Sequence, residues 1–202
     1  MEKVFEVPGQ GKVELVLGDV GFSVIVEDYG RNEKGSVFLR MKEIGILAKW
    51  MAGLEEKVSF KHKNARLKFT WVPESAGFRI AYEEYDEAGS RLKRAGVAPK
   101  GLTALKLLTL IEKFVKNSEV VLTLNQKLIT KAKGMMLIND QAEGKQVVLS
   151  PSQMEELKYI LSTFGKIRDI VYDHKGIYYN GTLKVDGIAF EEPEIRVLRI
   201  LF

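Results

Sequence analysis

Five cations fall close together at Lys57, Lys61, Lys63, Arg66 and Lys68, and their spacing says more than their number. Alternate side chains of a β-strand leave opposite faces. On a hairpin around Asn64, Val58, Phe60, Leu67, Phe69 and Trp71 then take one face and the five cations the other. The following strands set Phe78, Ile80 and Tyr82 inward, and Arg79, Tyr85, Arg91 and Lys93 outward. Lys127, Lys131 and Lys133 repeat the pattern further along, with Ile129 on their face. Cations so arrayed track phosphates and a neighbouring ring stacks a base, which suits single-stranded nucleic acid. Two plainer readings compete: a solvated face, or lysines that block edge-to-edge aggregation. Glu83, Glu84, Asp86 and Glu87 beside the basic strands count against binding. Trp71 belongs with the core because it shares parity with Leu67 and Phe69, whereas Trp50 stays ambiguous.

Little else in the 202 residues offers chemistry. There is no Cys, and the two His are His62 and His174. Disulfides, thiolate zinc sites, iron–sulfur clusters and cysteine nucleophiles are therefore excluded. No P-loop or nucleophile elbow is present, and Gly9-Gln10-Gly11 precedes a strand rather than a helix. One acidic constellation, Asp169, Asp173 and His174 near Asp186, Glu191 and Glu192, has the composition of a Mg²⁺-dependent nuclease site. Asp173-His174-Lys175-Gly176 is also ordinary turn composition. His62, at a strand end, reads as a surface or capping residue. The expectation is a non-enzymatic protein without metal or cofactor.

The net charge of +4 is unevenly spread. Residues 1–56 hold 7 Lys/Arg against 10 Asp/Glu, residues 57–106 hold 11 against 5, and residues 107–202 hold 13 against 12. The excess thus belongs to the stretch carrying the alternating cations. Glu (20) far exceeds Asp (7) and Asn plus Gln total only 11, a composition that leans towards a thermophile. Met1 to Pro8 has no apolar signal core, and Leu102–Val115 is broken by Lys106, Glu112 and Lys113. A cytoplasmic location is expected.

The elements that must position these residues alternate between two periods. Strands are predicted over 12–17, 22–28, 36–39, 57–62, 66–72, 78–85, 91–97, 119–124, 128–133, 135–138 and 146–149. Helices are predicted over about 42–52, over 102–116, where Leu105, Leu110 and Phe114 widen the apolar stripe, and after Ser150-Pro151-Ser152-Gln153. That last tetrapeptide is a capping box with Pro at the first helical position. The tail reads as strands at 167–172, 177–179, 183–185 and 195–202, with Asn180-Gly181 as a hairpin turn. The apolar end, Ile195 to Phe202, completes a sheet in another block or subunit on this reading.

Two segments carry a family resemblance. Lys145 to Leu161, with its Ser-Pro-Ser-Gln cap, resembles the strand–cap–helix end of the positive cofactor 4 family. Gly35 to Met51 similarly resembles the strand-into-helix end of PUR repeats and Whirly proteins. The resemblance implies duplicated units of a four-stranded antiparallel sheet plus a helix, packed in pairs, with sheets that bind single-stranded DNA or RNA. The resulting expectation is a β-rich α+β protein. Two tandem units over 1–117 form a pseudo-dimer, and a third over 118–202 ends in helix-free strands. A homodimer through sheet edges or the C-terminal strand is the implied assembly. A protein-interaction module with a solubilising Lys face is the alternative function.

Overall fold

The computed structural model describes residues 1–163, 171–173, 176–178 and 183–202, with backbone alone at 163, 171–173 and 176–178. Two compact units divide the chain, Met1–Ser118 and Glu119–Phe202. The class is α+β with four-stranded, mainly antiparallel sheets, as the duplicated pattern predicts.

In the first unit, β1 (Glu2–Val7), β2 (Gly11–Leu17), β3 (Gly21–Asp28) and β4 (Glu33–Arg40) form an antiparallel meander leading into α1 (Met41–Met51). A second meander repeats the plan with β5 (Lys57–His62), β6 (Ala65–Val72), β7 (Gly77–Tyr85) and β8 (Arg91–Val97), followed by α2 (Gly101–Lys116). Strand β1 is an addition to the strands predicted from the sequence. Its exposed Val4 and half-buried Phe5 weaken its period-two pattern.

Period-two alternation fixes the inner rows. Val13, Leu15, Phe22, Val24, Val26, Val37 and Leu39 of the first sheet are buried, as are Val58, Phe60, Leu67, Phe69, Phe78, Ile80, Ala95 and Val97 of the second. Trp50 of α1 sits among Phe69, Phe78 and Trp71, stacked on Trp71 at 4.4 Å between centroids. The Trp71 indole donates to the Trp50 carbonyl at 2.8 Å, which places Trp71 in the core wall. Phe114 of α2 meets Phe22 at 5.6 Å. Leu105, by contrast, is 59% exposed and does not widen the buried stripe.

Strand β8 is a sheet edge, yet its outward amides are not left open. Arg94 N–H donates to Glu33 Oε2 at 2.5 Å, Gly96 N–H to Asp28 Oδ2 at 3.1 Å and Ala98 N–H to Gln10 Oε1 at 2.6 Å. Side chains of the first sheet thus cap an edge that would otherwise invite another strand. Gly35 permits the approach, since a Cβ there would overlap the Tyr82 ring.

In the second unit, β9 (Val120–Leu124), β10 (Lys127–Ala132), β11 (Met135–Asp140) and β12 (Lys145–Leu149) form a third meander, followed by α3 (Pro151–Thr163). The capping box is present, with Ser150 N–H donating to Gln153 Oε1 at 2.8 Å. Next come β13 (Val171–Asp173), β14 (Gly176–Tyr178), β15 (Leu183–Val185) and β16 (Ile188–Phe190), in the order β14-β13-β15-β16 with β13 parallel to β15. Residues 179–182 lie outside the described residues. The strands flanking Asn180-Gly181 are not neighbours, so that dipeptide does not join a hairpin pair; the hairpin turn is Asp186-Gly187, both at positive φ.

The C-terminus corrects the strand expected over 195–202. It is a helix, α4 (Glu192–Leu201). Glu194 reaches back to the Glu191 amide at 3.1 Å, and Pro193 stands in the first turn. Ile195, Leu198 and Leu201 recur every three residues and are buried, while Arg196 and Arg199 are exposed. Arg196 and Arg199 mark that helical period in the sequence, where the apolar residues between them suggest a strand. The tail is therefore not helix-free, and this segment offers no strand to another subunit. Together with β13–β16 it makes a fourth sheet-plus-helix block.

Candidate nucleic-acid interface

The register decides which cations share a face. In the sheet β5–β8, Lys61 lies opposite Arg66, Arg66 opposite Glu83, and Glu83 opposite Arg94. Lys57 lies opposite Thr70, and Thr70 opposite Arg79. Residues opposite one another project to the same side. The outer face therefore carries Lys57, Lys61, Arg66, Lys68, Arg79, Arg91 and Arg94, with Glu83 as the one strand carboxylate among them. Lys63 adds a charge in the turn, held at φ 55°.

Glu83 organises part of this face. It is buried, and it meets Lys68 at 3.5 Å, Arg91 at 3.9 Å and the Tyr85 hydroxyl. The Tyr85 hydrogen bond, with help from Lys68 and Arg91 and against its burial, holds the Glu83 carboxyl below its ordinary value. The same bond to Glu83 raises the Tyr85 phenol. Arg66 stands over the Tyr85 ring at 5.7 Å. Among the described residues, Lys57, Lys61, Lys63 and Arg79 have no carboxylate within 4.0 Å.

Two strand-end positions depart from simple alternation. Between Glu84 and Tyr85 the β7–β8 register slips, so that Glu84 faces Lys93 but Tyr85 faces Arg91. Leu92 is the extra residue, 60% exposed. Such a bulge moves one flank to the other side. Arg91 thereby reaches the outer face, whereas Lys93 stays in the row of Tyr82 and Ala95. Lys93 is thus corrected: it does not extend the outer track, and Arg94 takes that place. The signal for Arg94 was present in the sequence, since buried Ala95 and Val97 share the parity of Lys93.

Lys127 and Lys131 are corrected more sharply. Both lie in the row of Ile129, and that row is the packed one. Lys127 Nζ bonds Glu194 of α4 at 2.7 Å and stands 5.2 Å from the Phe190 ring centroid. Lys131 is buried, and its Nζ donates to the Leu201 carbonyl at 2.6 Å. These two lysines tie α4 to the inner side of the β9–β12 sheet. Lys133 is exposed, in the β10–β11 turn at φ 52°.

The other expected chemistry stands apart. His62 Nε2 lies 2.5 Å from Glu43 Oε2, and Glu43 Oε1 caps α1 through the Arg40 amide at 3.2 Å. Asp169, His174 and the side chain of Asp173 lie outside the described residues. Among the described residues no group of three His, Asp or Glu is placed to hold a metal ion, and no helix is long and apolar enough to cross a membrane.

No family model matches the sequence, and no curated protein matches it. Among solved structures, the chain is similar to the Trypanosoma brucei MRP1/MRP2 crystal structures, with 14% identity and a TM-score of 0.43 over 58% of this chain and 83% of that one.

Proposed function

We propose that this protein is a non-enzymatic, cytoplasmic binder of single-stranded DNA or RNA, of the kind its resemblance to the positive cofactor 4, Whirly and PUR group implies. The outer face of β5–β8 is the binding surface. One observation carries the reading: seven Lys and Arg share that face with a single strand carboxylate. A merely solvated face is better neutralised, as the first sheet of the same unit illustrates. There Glu6 lies opposite Lys12, Lys12 opposite Glu27 and Glu27 opposite Lys34, a ladder of alternating sign. The basic face instead sets Lys61 beside Arg66, a like-charge pair that costs about 0.2–1 kcal/mol rather than aiding folding. Phosphates bound across the face would relieve that repulsion, and Tyr85 with Arg66 offers a surface on which an unpaired base can stack.

The test is a titration of labelled single- and double-stranded oligonucleotides at several salt concentrations, with and without Mg²⁺. The reading predicts tight single-strand binding whose log affinity falls linearly with log salt, and no cleavage. Absence of salt-dependent single-strand binding would overturn it in favour of a protein-interaction module. Cleavage only with Mg²⁺ would instead support the nuclease reading of Asp169 and Asp173.

A further inference from the structure

A pocket of about 540 Å³ opens where the β5–β6 turn meets the β7–β8 turn, within the size range of sites that enclose small ligands, about 300–1,000 Å³. Its two sides differ in charge. The β5–β6 hairpin supplies Lys61, Lys63 and Arg66, and the β7–β8 turn supplies Asp86 and Glu87, with Tyr85 beside them. The walls are tied together, because the Tyr85 amide donates to the Asn64 carbonyl at 2.9 Å. The Ser90 amide fixes the Asp86 carboxylate through Oδ1 at 2.7 Å; among the described residues Oδ2 has no partner. A ligand that fits must be anionic at one end and a hydrogen-bond donor at the other, with a flat apolar body to lie along Tyr85.

We infer that this pocket takes one nucleotide of the bound strand and selects a base carrying an exocyclic amino group. The inference rests on the proposed single-strand binding and adds base selectivity to it. The phosphate lies on Lys61, Lys63 and Arg66. The amino group donates to Asp86 and Glu87, as carboxylates accept from the cytosine N4 amino group elsewhere. Thymine and uracil present an oxo group there and set acceptor against acceptor. Cytosine and thymine are both single-ring pyrimidines that differ at this exocyclic group and at the thymine methyl, and removing the carboxylates separates the two contributions.

The experiment compares oligo(dC) with oligo(dT) of one length, at pH 8 and fixed salt, on the full chain. Wild type should bind oligo(dC) about fivefold or more tightly, a discrimination of the size one good base-edge contact gives. In the Asp86→Asn, Glu87→Gln double variant the ratio should collapse towards one. Its oligo(dT) affinity should hold or rise, which also shows that the variant is folded. Equal wild-type affinities for the two oligomers would overturn the pocket inference and leave single-strand binding standing. So would a preference that survives in the double variant. Failure of both oligomers to bind would overturn both.

Discussion

The two sheets of the first unit share a topology and a following helix, yet their outer faces are charged in opposite ways. On β1–β4 the row Glu6, Lys12, Glu27, Lys34 alternates in sign from strand to strand, with Lys12 and Glu27 3.5 Å apart. On β5–β8 the charged strand residues of the outer face are all cations but one, and that carboxylate, Glu83, engages Lys68, Arg91 and Tyr85. The same fold can thus present a face that satisfies itself and a face that lacks its counter-charges. The second is the one worth explaining by a ligand, because Glu83 is its one strand carboxylate and Lys57, Lys61 and Arg79 have no carboxylate within 4.0 Å among the described residues.

Lysines of the second unit sharpen the contrast and give the largest expected effect. Lys127, unlike Lys61, lies in phase with the buried row of its strand, beneath α4 and bonded to the nearly buried Glu194. Lys127→Ala strands that carboxylate and should cost about 3–5 kcal/mol in a denaturant melt. Lys127→Met with Glu194→Gln should recover most of the loss. Next, Lys61→Glu should leave stability unchanged or raise it by about 0.5 kcal/mol, because the new residue faces Arg66 with opposite sign. Lys12→Glu should lower stability by a similar amount, since it breaks the ladder of the first sheet. Equal responses at positions 12 and 61 would erase the distinction between the faces.

The smallest effect concerns pH. Glu83 is held below its ordinary value of 4.5, so its contribution is present above that pH and is lost as the pH falls through its lowered folded value. Wild type should therefore outlast Glu83→Gln at neutral pH, and the advantage should vanish in acid. Carboxyl NMR should place the Glu83 titration below 4.5 and move it upward in Tyr85→Phe, which removes the largest cause of the shift. No upward movement would mean that Tyr85 does not organise the face.

Much of this architecture was legible in the sequence. Apart from β1, the meanders of the first three sheets and helices α1–α3 follow from alternation, turn residues and the Ser150–Gln153 cap. Three features were less so. The bulge at Leu92 reverses parity by one residue, which period-two counting cannot reveal. The α4 segment carried helical signals in Arg196 and Arg199, three apart, and in the Glu191–Glu194 capping box, but its apolar residues read more readily as a strand. Lys127 and Lys131 look like surface residues by type, and only their shared row with Ile129 signals burial; their partners, Glu194 and the Leu201 carbonyl, are 67 and 70 residues away in sequence. Of the candidate interface, the cations of β5 to β7 were readable from alternation. Arg94 was readable too, from the parity of Ala95 and Val97, but counting from Arg91 across the bulge at Leu92 put Lys93 in its place.

The central claim is that the basic face, and not basic residues in general, binds a single strand. It is tested most directly by measuring oligo(dT) affinity against salt for wild type, for Lys57→Glu/Lys61→Glu/Lys63→Glu, and for Lys12→Glu/Lys34→Glu. The account predicts that the first variant loses about 100-fold in affinity or more at low salt and shows a shallower salt slope. The second variant, which reverses two charges on the neighbouring sheet, should stay within about threefold of wild type. Equal losses in both variants, or wild-type affinity in the first, would contradict it.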